Sequence, residues 1–143
     1  MTMSDINELP RLIILHKQST SARVRFMTLG DSVLAFSPLP ETVALREEDY
    51  SPSVQYHPTA AIRAAEKKLE LAEGGLEPVP EFCVWVDTPE GDQAVLLAAC
   101  TSIDPPFAAA EKQGGKFIAI TEARRLPLVE RELLRRAYEH LLG

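Results

Sequence analysis

The sequence predicts a single α+β domain, spanning residues 1–143, in which a mixed or mainly antiparallel sheet carries helices packed on one face. Three observations predict it. Residues 82–87 and 93–100 are rich in β-branched, aromatic and other apolar side chains and flank Thr88, Pro89, Glu90, Gly91 and Asp92, which reads as strand, turn, strand. Residues 58–72 and 127–142 instead repeat apolar side chains at helical spacing. The length of 143 residues and the 45% hydrophobic content suit one core, and no internal repeat or low-complexity tract divides the chain.

Taken in order, a polar leader over residues 1–9 gives way to Leu12, Ile13, Ile14 and Leu15, a short apolar run of the kind found in buried strands. Arg23 and Arg25 then alternate with Val24 and Phe26, so a half-buried strand follows. Gly30 and Asp31 supply a turn into a third strand over residues 32–36, and together these three strands are expected to form an antiparallel meander. Residues 37–57 collect Pro38, Pro40 and Pro52 with Glu41, Glu47, Glu48 and Asp49, the composition of a long exposed connection. Residues 42–45 could add a short edge strand within it.

Pro58 opens the first helix, where its missing amide hydrogen would have had no partner. Ile62, Ala65, Leu69 and Ala72 share its inner face, Arg63, Glu66, Lys67 and Glu70 are expected outside, and Gly74 and Gly75 stop it. In the hairpin, Pro89 presets the turn and Gly91 can take positive φ. Both faces of the first hairpin strand are apolar, so Trp85 is expected to be mostly buried in the central sheet. A loop of residues 89–92 would set Cys83 opposite Ala98 and diagonal to Cys100, two reduced and buried neighbours.

Asp104, followed by Pro105 and Pro106, reads as an N-cap before a two-turn helix over residues 107–113, which Gly114 and Gly115 end. Residues 116–120 form a short strand. The last helix, from about residue 127 to 142, carries Leu126, Val129, Leu133, Leu134, Ala137 and Leu141 on one face and pairs Glu132 with Arg136.

A net charge of -6 argues against a general phosphate-backbone binder, so nucleic acid is not an expected partner. The chain has no apolar run near the roughly 20 residues that a membrane helix needs, nor the basic and apolar start of a secretory signal, which points to a cytoplasmic protein without membrane contact. Two cysteines without CxxC spacing and three scattered histidines give no metal-ligand pattern, and no cofactor motif is present. Gly114, Gly115 and Lys116 do not make a phosphate loop, because the glycines follow a helix and enter a strand. Asp87, Glu90 and Asp92 surround one turn without the ordered ligand series of a calcium loop. Ser102 lacks the framing of a nucleophilic serine and reads as a turn residue.

Two features remain as candidate sites. His57 stands before Pro58 beside the acids of the long connection, where an acid or base role is conceivable. Arg124, Arg131 and Arg135 fall near one line of a basic C-terminal segment that could engage an acidic partner or anion. Interleaved Glu130, Glu132 and Glu139 also allow a solvated, salt-bridged face. With no assembled acid, base and nucleophile, the sequence points to a small noncatalytic binding or accessory module for a protein or small molecule. The alternative is a small hydrolase-like enzyme with a pocket near His57. Self-association through the last helix is a further expectation to test.

Overall fold

The computed structural model describes residues 10–18, 23–35, 39, 43–46, 58–89 and 91–142. Its strands are β1 (Arg11–Lys17), β2 (Val24–Met27), β3 (Leu34–Ala35), β4 (Ala44–Leu45), β5 (Leu76–Thr88), β6 (Gly91–Cys100) and β7 (Phe117–Ile118). The α-helices are α1 (Pro58–Lys68), α2 (Phe107–Lys112) and α3 (Leu128–Leu142), with a 3-10 helix, η1 (Ile120–Arg125), before α3. One sheet runs β4-β5-β6-β1-β2-β7, with β3 also beside β1. β1 and β6 are parallel and the other pairs antiparallel, so the sheet is mixed.

Alternation along the central strands divides the core in two. Ile13, Leu15, Val84, Val86, Val95 and Leu97 point to the face covered by Leu133, Leu134 and Ala137 of α3. Leu12, Ile14, Leu96 and Ala98 point to the other, covered by Ala61, Ile62 and Ala65 of α1 and Ala109 and Ala110 of α2. The expectation of helices on one face is therefore met only in part. Strands that are apolar on both sides leave two faces to cover, and small alanines let α1 and α2 pack close to the second. Among the described residues, no helix is long and apolar enough to cross a membrane.

The N-terminal meander is corrected. β2 and β3 both run antiparallel to β1: Leu15 pairs with Phe26, and Ile13 with Leu34. Two steps along β1 thus correspond to eight along the other chain segment, which is one partner strand interrupted by an excursion. Gly30, at φ +60°, turns that excursion, and Leu29 and Ser32 close it with reciprocal backbone bonds of 2.7 and 3.2 Å. Its return is held from α3, where the buried Glu130 carboxylate accepts from Ser32 Oγ and Val33 N, both at 2.9 Å. Glu130 is therefore no part of a solvated face. Desolvation holds its carboxyl above the ordinary value, only partly opposed by these two hydrogen bonds.

Helix α1 corrects the sequence reading twice. Glu66 is buried, not outward, and its Oε2 accepts from Gly74 N at 2.9 Å and Leu76 N at 3.1 Å, fixing the turn into β5. The helix ends at Lys68, with its stop signal at Glu70 and not at the glycines. Glu70 takes φ +58°, Leu71 N bonds to Glu66 O, and Glu70 N bonds to Lys67 O, the paired bonds of a Schellman ending with a non-glycine in the left-handed position. For α2, Asp104 does not cap by its side chain; its carbonyl accepts from Ser102 Oγ at 2.6 Å, and Pro106 stands at the cap position.

The hairpin is tighter than expected. Thr88 pairs with Gly91, which takes φ +112°, so Asp92 belongs to the ladder opposite Asp87. Arg46, after β4, offsets the repulsion between those acids: its Nη2 lies 3.1 Å from Asp92 Oδ1 and 3.5 Å from Asp87 Oδ1. The shorter loop moves Cys83 opposite Leu96, while Cys100 pairs with Leu76. The thiols are free but not neighbours, and Cys83 is exposed where Cys100 is buried. Trp85 is 8% exposed, as a central hairpin requires.

Candidate functional site: a cleft between the β5 bulge and α3

Strand β5 breaks its ladder in the middle. Pro78 pairs with Ala98 and Cys83 with Leu96, so residues 79–82 stand against Leu97 alone. The local sequence explains the bulge. Pro78 and Pro80 have no amide hydrogen to give to a ladder, and Glu81 turns the chain outward at φ +67°. β4 pairs with β5 only at Val86 and Asp87, extended by the bond from Arg46 N to Trp85 O. Two prolines and two glutamates, Glu77 and Glu81, then make the rest of this strand a poor template for another strand.

What the bulge does provide is a wall. The C-terminal half of α3 passes beside it, and His140 Nε2 lies 2.9 Å from Pro80 O. A carbonyl can only accept, so Nε2 carries the hydrogen. The same ring meets Phe82 edge to face, with centroids 5.5 Å apart. Between wall and helix lies an open cleft of about 330 Å³, bounded by Glu81, Phe82, Cys83 and Val84 on one side and by Arg136, Glu139 and His140 on the other.

Arg136 gives this cleft its chemistry. The expected Glu132 pairing is corrected: Glu132 is taken by Arg135, and Arg136 instead reaches across the sheet edge, where its Nη1 donates to Arg46 O at 3.0 Å. Its Nε is buried and has no acceptor among the described residues. A buried donor without a partner costs about 1 to 3 kcal/mol, more when charged. Nη1 is thus fixed, while Nε, on the guanidinium edge that can match a carboxylate, has no acceptor among the described residues.

The rest of the lining offers little for covalent chemistry. Cys83 is exposed as a residue, yet its thiol is pushed up from the ordinary value by partial desolvation, which lowers the thiolate fraction available for attack. His140 Nε2 is committed to a backbone carbonyl, and Glu139 accepts from Arg135 at 2.8 Å. Among the described residues, no cluster of three or more His, Cys, Asp or Glu could hold a metal ion.

The sequence candidates fall elsewhere. His57 lies outside the described residues. Arg124 stands on η1, and Pro127 separates it from Arg131 and Arg135 on α3, so the three do not share one helix. Arg135 is held on the exposed surface between Glu132 and Glu139, and those hydrogen bonds raise its pKa while lowering that of Glu132. Arg124 and Arg131 are exposed.

A buried histidine also escaped the sequence reading. His16 is 1% exposed, its Nε2 lies 2.8 Å from Ser102 O, and its Nδ1 has no partner among the described residues. The bond ties the end of β1 to the loop after β6. Cys100, at the end of β6, has its thiol pushed up to about 12 by burial, which makes it a packing residue. Arg136, His140 and Glu81 carried no motif; only the proline pair before Glu81 hinted at an interrupted strand. No protein-family model matches the chain, and no curated protein matches it.

Proposed function

We propose that this protein is a noncatalytic binding module whose cleft between the β5 bulge and α3 takes a small ligand bearing a carboxylate. The observation that carries the reading is Arg136, with one arm of its guanidinium fixed on Arg46 O and its Nε without an acceptor among the described residues, beside a cleft of about 330 Å³. That volume lies at the small end of ligand sites, which commonly span about 300 to 1,000 Å³. A carboxylate would supply the missing acceptor in the bidentate geometry that arginine favours. Phe82 and Val84 offer an apolar surface for the rest of the molecule, and Glu81 and Glu139 would disfavour ligands with several negative charges.

The raised Cys83 thiol and the engaged imidazole support binding over reaction. The hydrolase reading depends on His57, and no described contact favours it. A thermal-shift screen of small monocarboxylic acids, with each mixture then assayed for chemical change, separates the two. Binding predicts that some acids raise the melting temperature and are recovered intact; at one hundred times Kd the stabilisation is about 2.7 kcal/mol. Arg136→Lys should abolish most of that shift, since a lysine keeps the charge but not the fork. Conversion of any stabilising ligand, or shifts unchanged by Arg136→Lys, would overturn the proposal.

A further inference from the structure

A different surface, at the far edge of the sheet, gathers positive charge in a chain whose formal net charge is -6. β1 and β2 are joined at this end: Lys17 pairs with Val24, and Gln18 N bonds to Arg23 O at 2.8 Å. β7 pairs with β2 through Phe26 and Ile118, and the chain passes at once into η1, which packs against β2. The topology therefore brings Lys17, Arg23, Arg25, Arg124 and Arg125 to one end of the molecule. Arg25 is partly exposed and the other four are exposed.

None of these five cations takes part in an ion pair among the described residues. Elsewhere several exposed charges are matched, as in Arg63 with Glu73, Lys112 with Glu70, and Arg135 with Glu132 and Glu139, while Lys67, Lys116 and Arg131 stand singly along the surface without an ion pair among the described residues. Two acids stand near this end and offset its charge only in part. Glu122 turns its carboxylate to Ala119 N at 2.8 Å, and Asp104 stands on the loop after β6. Five cations against two acids among the described residues leave positive charge in excess, and the repulsion within it is a cost that an anionic partner lowers.

We propose that this basic end docks a short acidic segment of a partner protein. Its dimensions set the kind of partner. A four-residue strand and a six-residue 3-10 helix each span roughly 12 to 14 Å. An extended peptide advances about 3.3 Å per residue, so a run of some four or five carboxylates matches that width. A nucleic acid fits poorly. Its charges recur about every 1.7 Å of duplex and continue past the basic end onto a molecule that is otherwise acidic. None of the five positions is interleaved with an aromatic side chain on which an unpaired base could stack.

The test is fluorescence anisotropy with a labelled octaglutamate peptide and, separately, a labelled single-stranded oligonucleotide of eight residues, each from low to physiological salt. Saturable peptide binding that weakens with salt, and that falls about tenfold or more in the Arg124→Glu, Arg125→Glu double variant, supports the proposal. The Arg23→Glu variant should weaken it too, because β2 and η1 are in contact at this end. Trp85 emission confirms that the variants remain folded. Three results would each overturn the proposal: peptide binding equal in wild type and charge-reversed proteins, tighter binding of the oligonucleotide than of the peptide, or no peptide binding at low salt. Since Arg136 is not part of this surface, Arg136→Lys should leave peptide binding unchanged, which keeps the result independent of the cleft.

Discussion

Gly115 shows how one residue can be fixed by something other than its backbone angles. A Cβ built there would lie 1.7 Å from Thr28 O. The closeness has a purpose, since Thr28 N donates to Lys116 O at 2.7 Å and Lys116 N donates to Thr28 Oγ1 at 2.9 Å, zipping β7 onto β2. Gly115→Ala must push backbone from backbone, and we expect it to cost about 1 to 3 kcal/mol or more, read from chemical denaturation. Gly114→Ala also strains its backbone, at φ +73°, but meets nothing within 4 Å, so it should leave the β2 and β7 amides as protected from hydrogen exchange as in wild type. The sequence marked both glycines as a helix stop. Only the fold distinguishes the one that ends α2, Gly114, from the one that makes room for a neighbouring strand.

Glu130 is a second case, because its neighbours Glu132 and Glu139 are exposed-surface acids while it is 2% exposed. Its pKa is raised above the ordinary carboxyl value of 4.5 by desolvation. The folded state therefore binds its proton more tightly than the unfolded chain does. The corresponding stabilisation is complete below the unfolded pKa and is lost as pH rises through the higher folded value. Glu130→Gln carries no such titration. Relative to wild type, the variant should become progressively more stable from about pH 4 to pH 7. Denaturation midpoints measured across that range check the sign, and a difference that is flat or falls with pH would contradict it.

At the scale of elements, the long terminal helix was the most legible, and the reason is its repeat. Leu133, Leu134 and Ala137 are each 0% exposed, in agreement with the apolar stripe. Leu134→Ala should destabilise the protein by about 2 to 5 kcal/mol through lost burial and a residual cavity. Arg131→Ala, on the exposed face, should change stability by no more than about 0.5 kcal/mol. Equal denaturation midpoints for the two variants would mean that the helix is not docked. The hairpin was legible too, but its register was not. A four-residue and a two-residue loop use the same Pro89 and Gly91, and nothing local to the sequence chooses between them. The Arg46 bridge to Asp87 and Asp92, which makes their cross-strand pairing tolerable, comes from a strand more than 40 residues away.

At the scale of the whole molecule, the sequence indicated one mixed α+β unit but could not order the sheet. β1 pairs in parallel with β6, more than 80 residues later, and no local signal encodes such a partner. The same limit hid the cleft. Arg136 looked like half of an ion pair with Glu132 because they are four residues apart on a helix, whereas its partner is a backbone carbonyl 90 residues away. Of the earlier site residues, Arg124 alone recurs in a proposed surface, and it does so with Arg23, Arg25 and Arg125 rather than with Arg131 and Arg135. His16 and His140 each bind a main-chain carbonyl, a role with no sequence signature.

The Nε–H of Arg136, which has no acceptor among the described residues, is directly observable by nuclear magnetic resonance. Its ¹H–¹⁵N signal should be followed during titration with a monocarboxylic acid found by the thermal screen, with acetate as the minimal probe. A carboxylate bound at the Nε and Nη2 edge predicts a saturable downfield shift of that proton, accompanied by shifts at Phe82 and His140 along the two walls of the cleft. An Arg136 signal that stays in place while the acid binds, or shifts confined to residues outside the cleft, would contradict the cleft as the ligand site.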